Sequence, residues 1–564
     1  MEFTGAQLLI HSLKAEDVDT IFGYPGGAVL DIYDELFRSD IRHIRACHEQ
    51  GAIHAADGYA RASGRTGVCL VTSGPGATNT VTGIATAFMD SIPMVVITGQ
   101  VATHLIGKDS FQEVDIVGIT RPCSKHNYLI TRAEDIPRII REAFFIASSG
   151  RPGPVLIDIP KNLTTTVVNL NEESPSEICR STGADCLDGN RIGKAAELIE
   201  KACRPVIFAG EGVVQSDSSK LLTDFARKYQ IPVTSSLLGV GAFPGSDPLW
   251  LGITGLQGMY RANFAAGYCD LLIAAGVNLE NFVNRKTNMF SSGADIIHMD
   301  VDPVSKCSGA SLTVPVSGCC RQTIDLLDQM MGGASGHRKL RQKHRPWLDR
   351  IFKWNYSPPP PFGKSNEITP RKVVETIHRL TRGTAMITTE STPLRMETAQ
   401  HYRFDRPGSF LPSGGFDCMG FSLPAAVGAQ AACPDRTVIC LTETAGFQMT
   451  LQEIATAVQY NLPLKIVVFN YHHKNLNPSR RLERHQWALN HGPDLLKLAQ
   501  AYGAHGIRAE KAEDIETVLR DGLFNSGTVV MDLPVREVET HDWKFNEPAC
   551  RLEKKSLPEY TQLR

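Results

Sequence analysis

The sequence lacks the features that mark several common classes of protein. It has no excess of one charge, because a formal net charge of −2 and a pI of about 6.8 give no electrostatic basis for binding nucleic acid or an anionic membrane surface. Its apolar runs, such as residues 92–99, are too short to span a bilayer. Its 14 cysteines are scattered without a C-x-x-C pair. With no secretory signal in the opening stretch MEFTGAQLLI, they predict reduced thiols in a cytoplasmic protein.

What is present is a long chain of ordinary globular composition. With 564 residues, 42% of them hydrophobic and 21% charged, it is too long for one core and predicts about three domains. Short apolar strands alternate with amphipathic helices in three segments, which is typical of α/β domains with parallel sheets. We place these domains at residues 1–165, 189–331 and 366–540.

Glycines stand where the first predicted strand meets its helix. Residues 22–36 read FGYPGGAVLDIYDEL, with Pro25, Gly26 and Gly27 between the strand and the helix. Glycine lets the backbone approach a ligand closely at such a turn. The segment is therefore a candidate for a ligand pocket.

Several long stretches, in order along the whole chain, resemble acetolactate synthase large subunits, a thiamine diphosphate-dependent family. The stretches are RACHEQGAIHAADGYARASG, VTSGPGATNTVTGIATAFMDSIPMVVITGQV, DSFQEVDIVGITRPCSKHNYLI, SGRPGPVLIDIPKNL, LLGVGAFPGSDPLWLGITGLQGMYRANFA, GGFDCMGFSLPAAVGAQAACPDRTVICLT and FQMTLQEIATAVQYNLPLKIVVFN. The resemblance implies three flavodoxin-like parallel-sheet domains: pyrimidine-binding, central and diphosphate-binding. It also implies a homodimer or homotetramer whose active sites lie between subunits, acting on a small molecule.

The resemblance assigns the catalytic end of the site to residues that are present. Glu49 matches the buried glutamate that moves a proton on the aminopyrimidine ring of the cofactor, a role that burial favours by raising the pKa of a carboxyl group. Phe111, Gln112 and Lys125 match positions that line the substrate channel. Met419 matches the methionine that bends the cofactor.

The diphosphate end of the site departs from the family. Magnesium takes hard oxygen ligands, typically with a carboxylate among them, but Thr444 occupies the carboxylate position and Tyr471 that of the second ligand. At a third anchor, residues 392–395 read TPLR, where a proline removes a backbone donor. These departures predict that the ordinary magnesium–thiamine diphosphate complex is not bound and that no metal is held.

A basic segment near the altered site offers another way to hold an anion. Arg395 and the segment could pair directly with phosphate or carboxylate groups, and the alternative is a solvated basic loop. The candidate residues in the segment are His472, His473, Lys474 and Arg480.

The family's central domain holds a flavin dinucleotide, and part of that site is matched here. The matching residues are Arg151, Gly210, Gly212, Leu256 and Gly258. The stretch NLENFVN and Cys319 depart from the family pattern. FAD is therefore a possible ligand, and the glycines are equally explained as strand-to-helix turns.

Three functions follow from these observations. The first is a diverged enzyme that makes or breaks a bond next to a carbonyl of a small acidic substrate without magnesium–thiamine diphosphate, using Glu49 for proton transfer and Gln112 and Lys125 for orientation. The second is a working thiamine-dependent acetolactate synthase or related carboligase. The third is a non-catalytic relative that regulates an active subunit.

Overall fold

The computed structural model describes residues 2–169, 188–255, 257–279, 291, 293–303, 313–331, 334–354, 368–471 and 492–535. These residues form three six-stranded parallel sheets and one two-stranded ribbon. In the ribbon, β1 (Glu2–Thr4) pairs antiparallel with β8 (Val167–Asn169).

The first sheet contains the strands predicted for the first segment. Its strands are β2 (Thr20–Tyr24), β3 (Arg42–Arg45), β4 (Gly67–Val71), β5 (Met94–Gln100), β6 (His126–Leu129) and β7 (Pro154–Pro160). Its helices are α1 (Gly5–Ala15), α2 (Leu30–Phe37), α3 (Glu49–Ser63), α4 (Pro75–Thr78), α5 (Val81–Met89), α6 (Ile116–Thr120), α7 (Ile136–Ser148) and α8 (Lys161–Thr165). Short 3₁₀ turns lie at Thr103–Leu105, Arg121–Cys123 and Ala133–Asp135. The strand order is β3-β2-β4-β5-β7-β6, and the three strands β4, β5 and β7 are buried along their whole length, as apolar runs in a parallel sheet predict.

The central sheet has a different strand order. Its strands are β9 (Pro205–Ala209), β10 (Val233–Ser235), β11 (Trp250–Ile253), β12 (Leu271–Ala275), β13 (Asp295–Asp300) and β14 (Thr313–Ser317). Its helices are α9 (Gly189–Lys201), α10 (Glu211–Gln215), α11 (Ser219–Tyr229), α12 (Tyr260–Tyr268), α13 (Cys320–Met330) and α14 (Ala334–Lys353). The order β11-β10-β9-β12-β13-β14 is that of doubly wound dinucleotide-binding sheets, which bind ligands where the winding reverses. Here the reversal lies between β9 and β12.

The third sheet repeats the order of the first. Its strands are β15 (Met386–Thr389), β16 (Phe410–Pro412), β17 (Val438–Glu443), β18 (Lys465–Tyr471), β19 (His505–Arg508) and β20 (Val529–Val535). Its helices are α15 (Pro370–Thr381), α16 (Thr392–His401), α17 (Ser422–Ala432), α18 (Thr444–Thr450), α19 (Glu453–Gln459), α20 (Leu495–Ala501) and α21 (Ile515–Leu523). The order β16-β15-β17-β18-β20-β19 reverses its winding between β15 and β17, as the first sheet does between β2 and β4.

The prediction of three α/β domains with parallel sheets is confirmed. Every strand of the three sheets lies inside the segment predicted to contain it, while the domain boundaries themselves stay predictions. In the described part of the chain, no helix is both long and apolar enough to cross a membrane.

Helices α3 and α17 join the first and third sheets into one core. Both are rich in alanine and glycine and are almost entirely buried. A Cβ atom added to Gly58 would lie 2.1 Å from the carbonyl oxygen of Ala425, and one added to Gly428 would lie 1.8 Å from that of Ala55. The two helix backbones therefore touch directly, with no room for a side chain at either glycine.

Replacing Gly58 with alanine should destabilise the protein. The new methyl group would meet backbone, which cannot rotate away, so we expect a loss of about 2–3 kcal/mol and a melting temperature lower by about 5 °C or more. Differential scanning calorimetry would measure it. Gly267→Ala is the matched control, because a Cβ at this helical glycine meets nothing within 4 Å and should leave the melting temperature unchanged or higher. Equal melting temperatures for the two variants would contradict the close packing of α3 and α17.

Candidate active site at the edges of the first and third sheets

Glu49 is the first residue of α3, at the carboxyl edge of the first sheet. The side chain of His48 caps the helix, its Nδ1 accepting the N–H of Gln50 at 3.0 Å. The half-buried carboxylate of Glu49 accepts a hydrogen bond from Asn79 Nδ2 at 2.9 Å. Asn79 directly follows α4 and was not selected from the sequence, although a polar residue after the turn SGPGAT was a usable signal. It holds the carboxylate toward the turn that follows β4.

Two glycine turns meet beside this carboxylate. A Cβ on Gly26, after β2, would lie 2.6 Å from the side chain of Thr72, after β4. A Cβ on Gly76 would lie 2.7 Å from Thr72 Cγ2 and 3.3 Å from Glu49 Oε1. Gly27 has open space around it. The predicted pocket residues Pro25, Gly26 and Gly27 thus lie where the winding of the first sheet reverses, which is where ligands bind in such sheets.

The structure brings Phe111 and Gln112 to the same edge. Gly74, with φ of 58°, packs so closely against the next loop that a Cβ would lie 2.8 Å from the carbonyl oxygen of Gln112. The carboxylate of Glu113 closes the loop by accepting the N–H of Ser110 at 2.9 Å. Phe111 is 88% exposed. Gln112 therefore packs against the turn after β4, and the channel-lining role of Phe111 and Gln112 stays a prediction.

Lys125 makes its contacts at the end of a helix. Its Nζ donates to the carbonyl oxygens of Ser149, at 2.7 Å, and Ile146, at the carboxyl end of α7. Burial lowers the pKa of Lys125 to about 8. A cation at the last carbonyls of a helix is favourable. The substrate-orienting role of Lys125 stays a prediction, which this contact does not support.

Arg395 holds the loop that carries Met419. It is buried on α16, donates from Nη1 to the carbonyl oxygens of Ser413 and of Gly414 at 3.1 Å, and pairs with Asp417 at 3.0 Å. Its predicted role in holding an anion stays a prediction, because these contacts already occupy the guanidinium with the protein's own loop.

The same loop is held from the first domain by Asp90, which is 1% exposed. The Asp90 carboxylate accepts the N–H groups of Gly414 at 2.8 Å and Gly415 at 2.7 Å, and a hydrogen bond from Arg61 at 2.8 Å. Met419 is left 38% exposed beside these contacts. Neither Asp90 nor Arg61 was selected from the sequence; the available signal was charge within apolar helical segments.

The carboxyl edge of the third sheet contributes oxygen atoms. Thr444, the first residue of α18, donates from Oγ1 to Asn470 Oδ1 at 3.3 Å. Asn470 Nδ2 in turn donates to Asp532 Oδ1 at 3.1 Å. Glu443 accepts from Ser391 Oγ at 2.6 Å. Neighbouring ligands of an octahedral magnesium ion lie about 3 Å apart, so the neutral oxygens of Thr444 and Asn470 fit two ligands of the ion that would carry a diphosphate.

A buried carboxyl group fills the winding reversal of the third sheet. Glu390, directly after β15, accepts from the N–H of Ser422 at 2.8 Å and from Thr442 Oγ1 at 2.7 Å. Burial raises its pKa. A Cβ on Gly446 would lie 1.7 Å from Glu390 Oε1. The carboxyl group thus occupies the space that a side chain at position 446 would need.

Several predicted site residues lie outside the described residues. They are His472, His473, Lys474, Arg480 and Leu256. Tyr471 is described only as the last residue of β18. Their predicted roles stay predictions.

The central sheet has its own crevice at the reversal between β9 and β12. The backbones of the two turns touch there, since a Cβ on Gly210 would lie 2.1 Å from the carbonyl oxygen of Gly276, and one on Gly212 would lie 2.7 Å from the Cα atom of Gly276. Arg151 donates to Ser91 Oγ at 2.7 Å. The glycines are thus required by packing, whatever binds there. Gly258 closes a separate turn, its N–H donating to the carbonyl oxygen of Gly255 at 2.9 Å.

Glu211 lies between the two glycines of this crevice. Its removal from water raises its pKa to about 7, and the nearby carboxylates of Asp90 and Asp300 act in the same direction. A carboxylate here is unfavourable for the pyrophosphate of a dinucleotide, so FAD binding stays a prediction.

Three family models match the chain, one for each sheet. They are described as the N-terminal TPP binding domain (residues 3–119), the central domain (192–327) and the C-terminal TPP binding domain (391–533) of thiamine pyrophosphate enzymes. The chain is therefore a member of the thiamine pyrophosphate enzymes.

Comparison with individual proteins shows which thiamine pyrophosphate enzymes the chain resembles. The chain is 42% identical over 552 residues to the acetolactate synthase large subunit of Buchnera aphidicola subsp. Schizaphis graminum and 39% identical over 549 residues to that of Haemophilus influenzae, each match covering 95% of both chains. It is 38% identical over 546 residues to the isozyme 3 large subunit of Escherichia coli, covering 94% of this chain and 95% of that one. The chain belongs to the acetolactate synthase large-subunit family.

These findings correct the prediction about the cofactor. Magnesium–thiamine diphosphate was expected to be absent because of Thr444, Tyr471 and residues 392–395. The C-terminal TPP binding model nevertheless spans all of these positions, and the matches to acetolactate synthase large subunits cover 94–95% of this chain. The prediction was wrong because it weighed individual ligands above the rest of the site, where Asn470 and Thr444 still supply oxygen atoms.

Glu211→Gln should make stability less dependent on pH. The folded-state pKa of about 7 lies above the usual value of 4.5, so the glutamate's contribution is fully present below about pH 4.5 and is lost as pH rises toward 7. We therefore expect the variant to melt at about the wild-type temperature near pH 4.5. Its melting temperature should exceed that of wild type increasingly up to pH 7 and by a constant amount above.

Melting curves at half-unit pH intervals would measure this difference. Glu510→Gln, at an exposed position, is the control and should track wild type throughout. Parallel curves for Glu211→Gln and wild type would show that Glu211 does not titrate in this range.

Proposed function

We propose that this chain is the catalytic subunit of a thiamine diphosphate-dependent acetolactate synthase, which joins two pyruvate molecules into acetolactate and releases CO₂. The observation that carries the proposal is Glu49. It stands at the carboxyl edge of the first sheet, where Asn79 orients its carboxylate and the turn after β2 leaves open space at Gly27. The names of the relatives support the substrate.

Each part of the site has a separable task. When bound, thiamine diphosphate supplies the nucleophilic carbon and the electron sink that decarboxylation of a 2-oxo acid needs. Glu49 would hold and move a proton at the pyrimidine ring, and Asn79 would fix the direction of its carboxylate. The open space at Gly27 would admit the flat ring, while Gly26 and Gly76 let the two turns pack closely around Thr72. Gln112 would border the substrate.

The other end of the site would hold the diphosphate of the cofactor through a magnesium ion. Thr444 Oγ1 and Asn470 Oδ1 would be magnesium ligands from the protein, both of them neutral. With no carboxylate added by these two residues, the ion would keep more of its charge for the diphosphate.

A second copy of the chain would complete the site. Phe111 is 88% exposed, and Phe416, Met419 and Met449 are also exposed apolar residues. Large uncovered apolar side chains next to a pocket are typical of an interface. We infer a homodimer or larger homo-oligomer with active sites between subunits.

Glu49→Gln should abolish most of the activity while leaving cofactor binding intact. Losing a positioned proton-transfer group costs about 10²-fold or more in kcat, whereas the amide keeps the shape and the acceptor for Asn79. Acetolactate formation from pyruvate with thiamine diphosphate and magnesium is the assay, and the cofactor-dependent rise in melting temperature is the binding measurement. The control is Glu197→Gln on the surface of α9. Full activity of Glu49→Gln, or no acetolactate from wild type, would refute the proposed function.

Thr444 variants should change the magnesium requirement. Thr444→Asp adds a carboxylate ligand and should lower, by about tenfold, the magnesium concentration at which thiamine diphosphate raises the melting temperature half-maximally. Thr444→Ala should raise that concentration. Ser526→Asp, exposed in the same domain, controls for the added charge. If all four proteins required the same magnesium concentration, Thr444 would not be a ligand.

A further inference from the structure

A buried carboxyl group of the third domain contacts the chain just ahead of Glu49. Glu453, the first residue of α19, is 1% exposed. Its Oε1 and Oε2 accept the N–H of Cys47 at 3.2 and 3.1 Å, and Oε2 also accepts from Thr456 Oγ1 at 2.6 Å. The backbone N–H of His48 also donates to the Glu453 carboxyl group. Burial raises the pKa of Glu453. Glu453 therefore binds the backbone at the start of α3.

The same helix holds this segment at a second point. The hydroxyl of Tyr460, the residue directly after α19, accepts the N–H of Arg45 at 2.9 Å. Arg45 ends β3, so both contacts fall on the short connection between β3 and Glu49. With the His48 cap, the backbone around Glu49 is fixed from both sides.

Glu453 and α3 fit without a gap. A Cβ on Gly51 would lie 2.2 Å from Glu453 Oε1 and 3.0 Å from its Cγ. Gly51 is two residues after Glu49, and Cys47 is two residues before it. The Glu453 carboxyl group thus contacts the chain on both sides of Glu49. A shift of Glu453 would therefore move the turn that carries Glu49.

We propose that Glu453 is a positioning residue that sets the direction of Glu49 from the domain that would hold the diphosphate. The inference rests on the proposed proton-transfer role of Glu49. A buried acceptor at the amino end of a helix is charge-assisted and geometrically strict. Thr444, the candidate magnesium ligand, lies nine residues earlier on the same run of helices. With active sites between subunits, residues 444–453 of one chain would therefore link the candidate metal ligand of one site to Glu49 of a neighbouring site.

Glu453→Ala should lower kcat by about 10²-fold, the cost of a misplacement of about 1 Å, with a much smaller change in KM for pyruvate. Glu453→Gln keeps an acceptor for Cys47 and a donor for Thr456, and should retain most of the activity. Glu513→Ala, exposed in the same domain, should behave as wild type. All assays are run on the full chain well below each variant's melting temperature.

The decisive comparison is the double variant. If Glu453 acts through Glu49, then Glu49→Gln/Glu453→Ala should be no slower than Glu49→Gln alone, since the two residues work as a unit. Multiplied losses would show a purely structural role and overturn the inference, as would a normal kcat for Glu453→Ala.

Two further measurements keep the test independent of substrate and of folding. Amide hydrogen exchange at residues 47–50 should speed up in Glu453→Ala and not in Glu513→Ala, and this answers whether Glu453 holds the turn even if wild type makes no acetolactate. If Glu453→Ala does not fold, Gly51→Ala is used in its place. Its methyl group should push against the Glu453 carboxyl group and lower kcat. The double variant Gly51→Ala/Glu453→Asp, with the shorter acid, should recover part of the lost kcat. Unchanged exchange, or no recovery in the second pair, would overturn the inference.

Discussion

The crossing of α3 and α17 is the constraint on which the rest of the site depends. Gly58 lies against the carbonyl oxygen of Ala425, and Gly428 against that of Ala55, so backbone meets backbone between the first and third domains. Such contacts have no rotamer freedom to absorb error. They set where α3 begins, and hence where Glu49 stands relative to the loop that ends at Met419 and to the helix that begins at Glu453.

Around this crossing the chain uses one strand order twice. The first and third sheets each reverse their winding at the corresponding pair of strands, and each reversal carries a carboxyl group, Glu49 in the first domain and Glu390 in the third. The two groups differ in surroundings. Glu49 is half-buried and accepts a hydrogen bond from Asn79, whereas Glu390 is enclosed by donors from Ser422 and Thr442. The partial exposure of Glu49 is why we propose it, and not the buried Glu390, as the group that meets a ligand.

The sequence sufficed to predict the architecture, because it has local signals, while Glu49 as the proton-transfer residue stays a prediction. The apolar run at residues 92–99 became buried strand β5, and Glu49 lay in a recognisable stretch. The residues that hold the site in shape had no such signal. Glu453 is 406 residues from Cys47, and Asp90 is 324 residues from Gly414, so no local pattern records either contact. The prediction that magnesium–thiamine diphosphate is not bound was wrong, because it rested on individual positions such as Thr444 and Tyr471 and not on the match of the whole domain.

The fit between Glu390 and Gly446 restricts how this site can change. The carboxyl oxygen stands where a side chain at position 446 would begin, so a serine or alanine cannot enter there while the glutamate remains. Shortening the glutamate first would instead leave a buried void, and the donors of Thr442 and Ser422 would lose their acceptor. Either substitution alone would destabilise the protein, so the residues at positions 390 and 446 can change only together. Anyone rebuilding this edge of the sheet, by selection or by design, must replace both residues together.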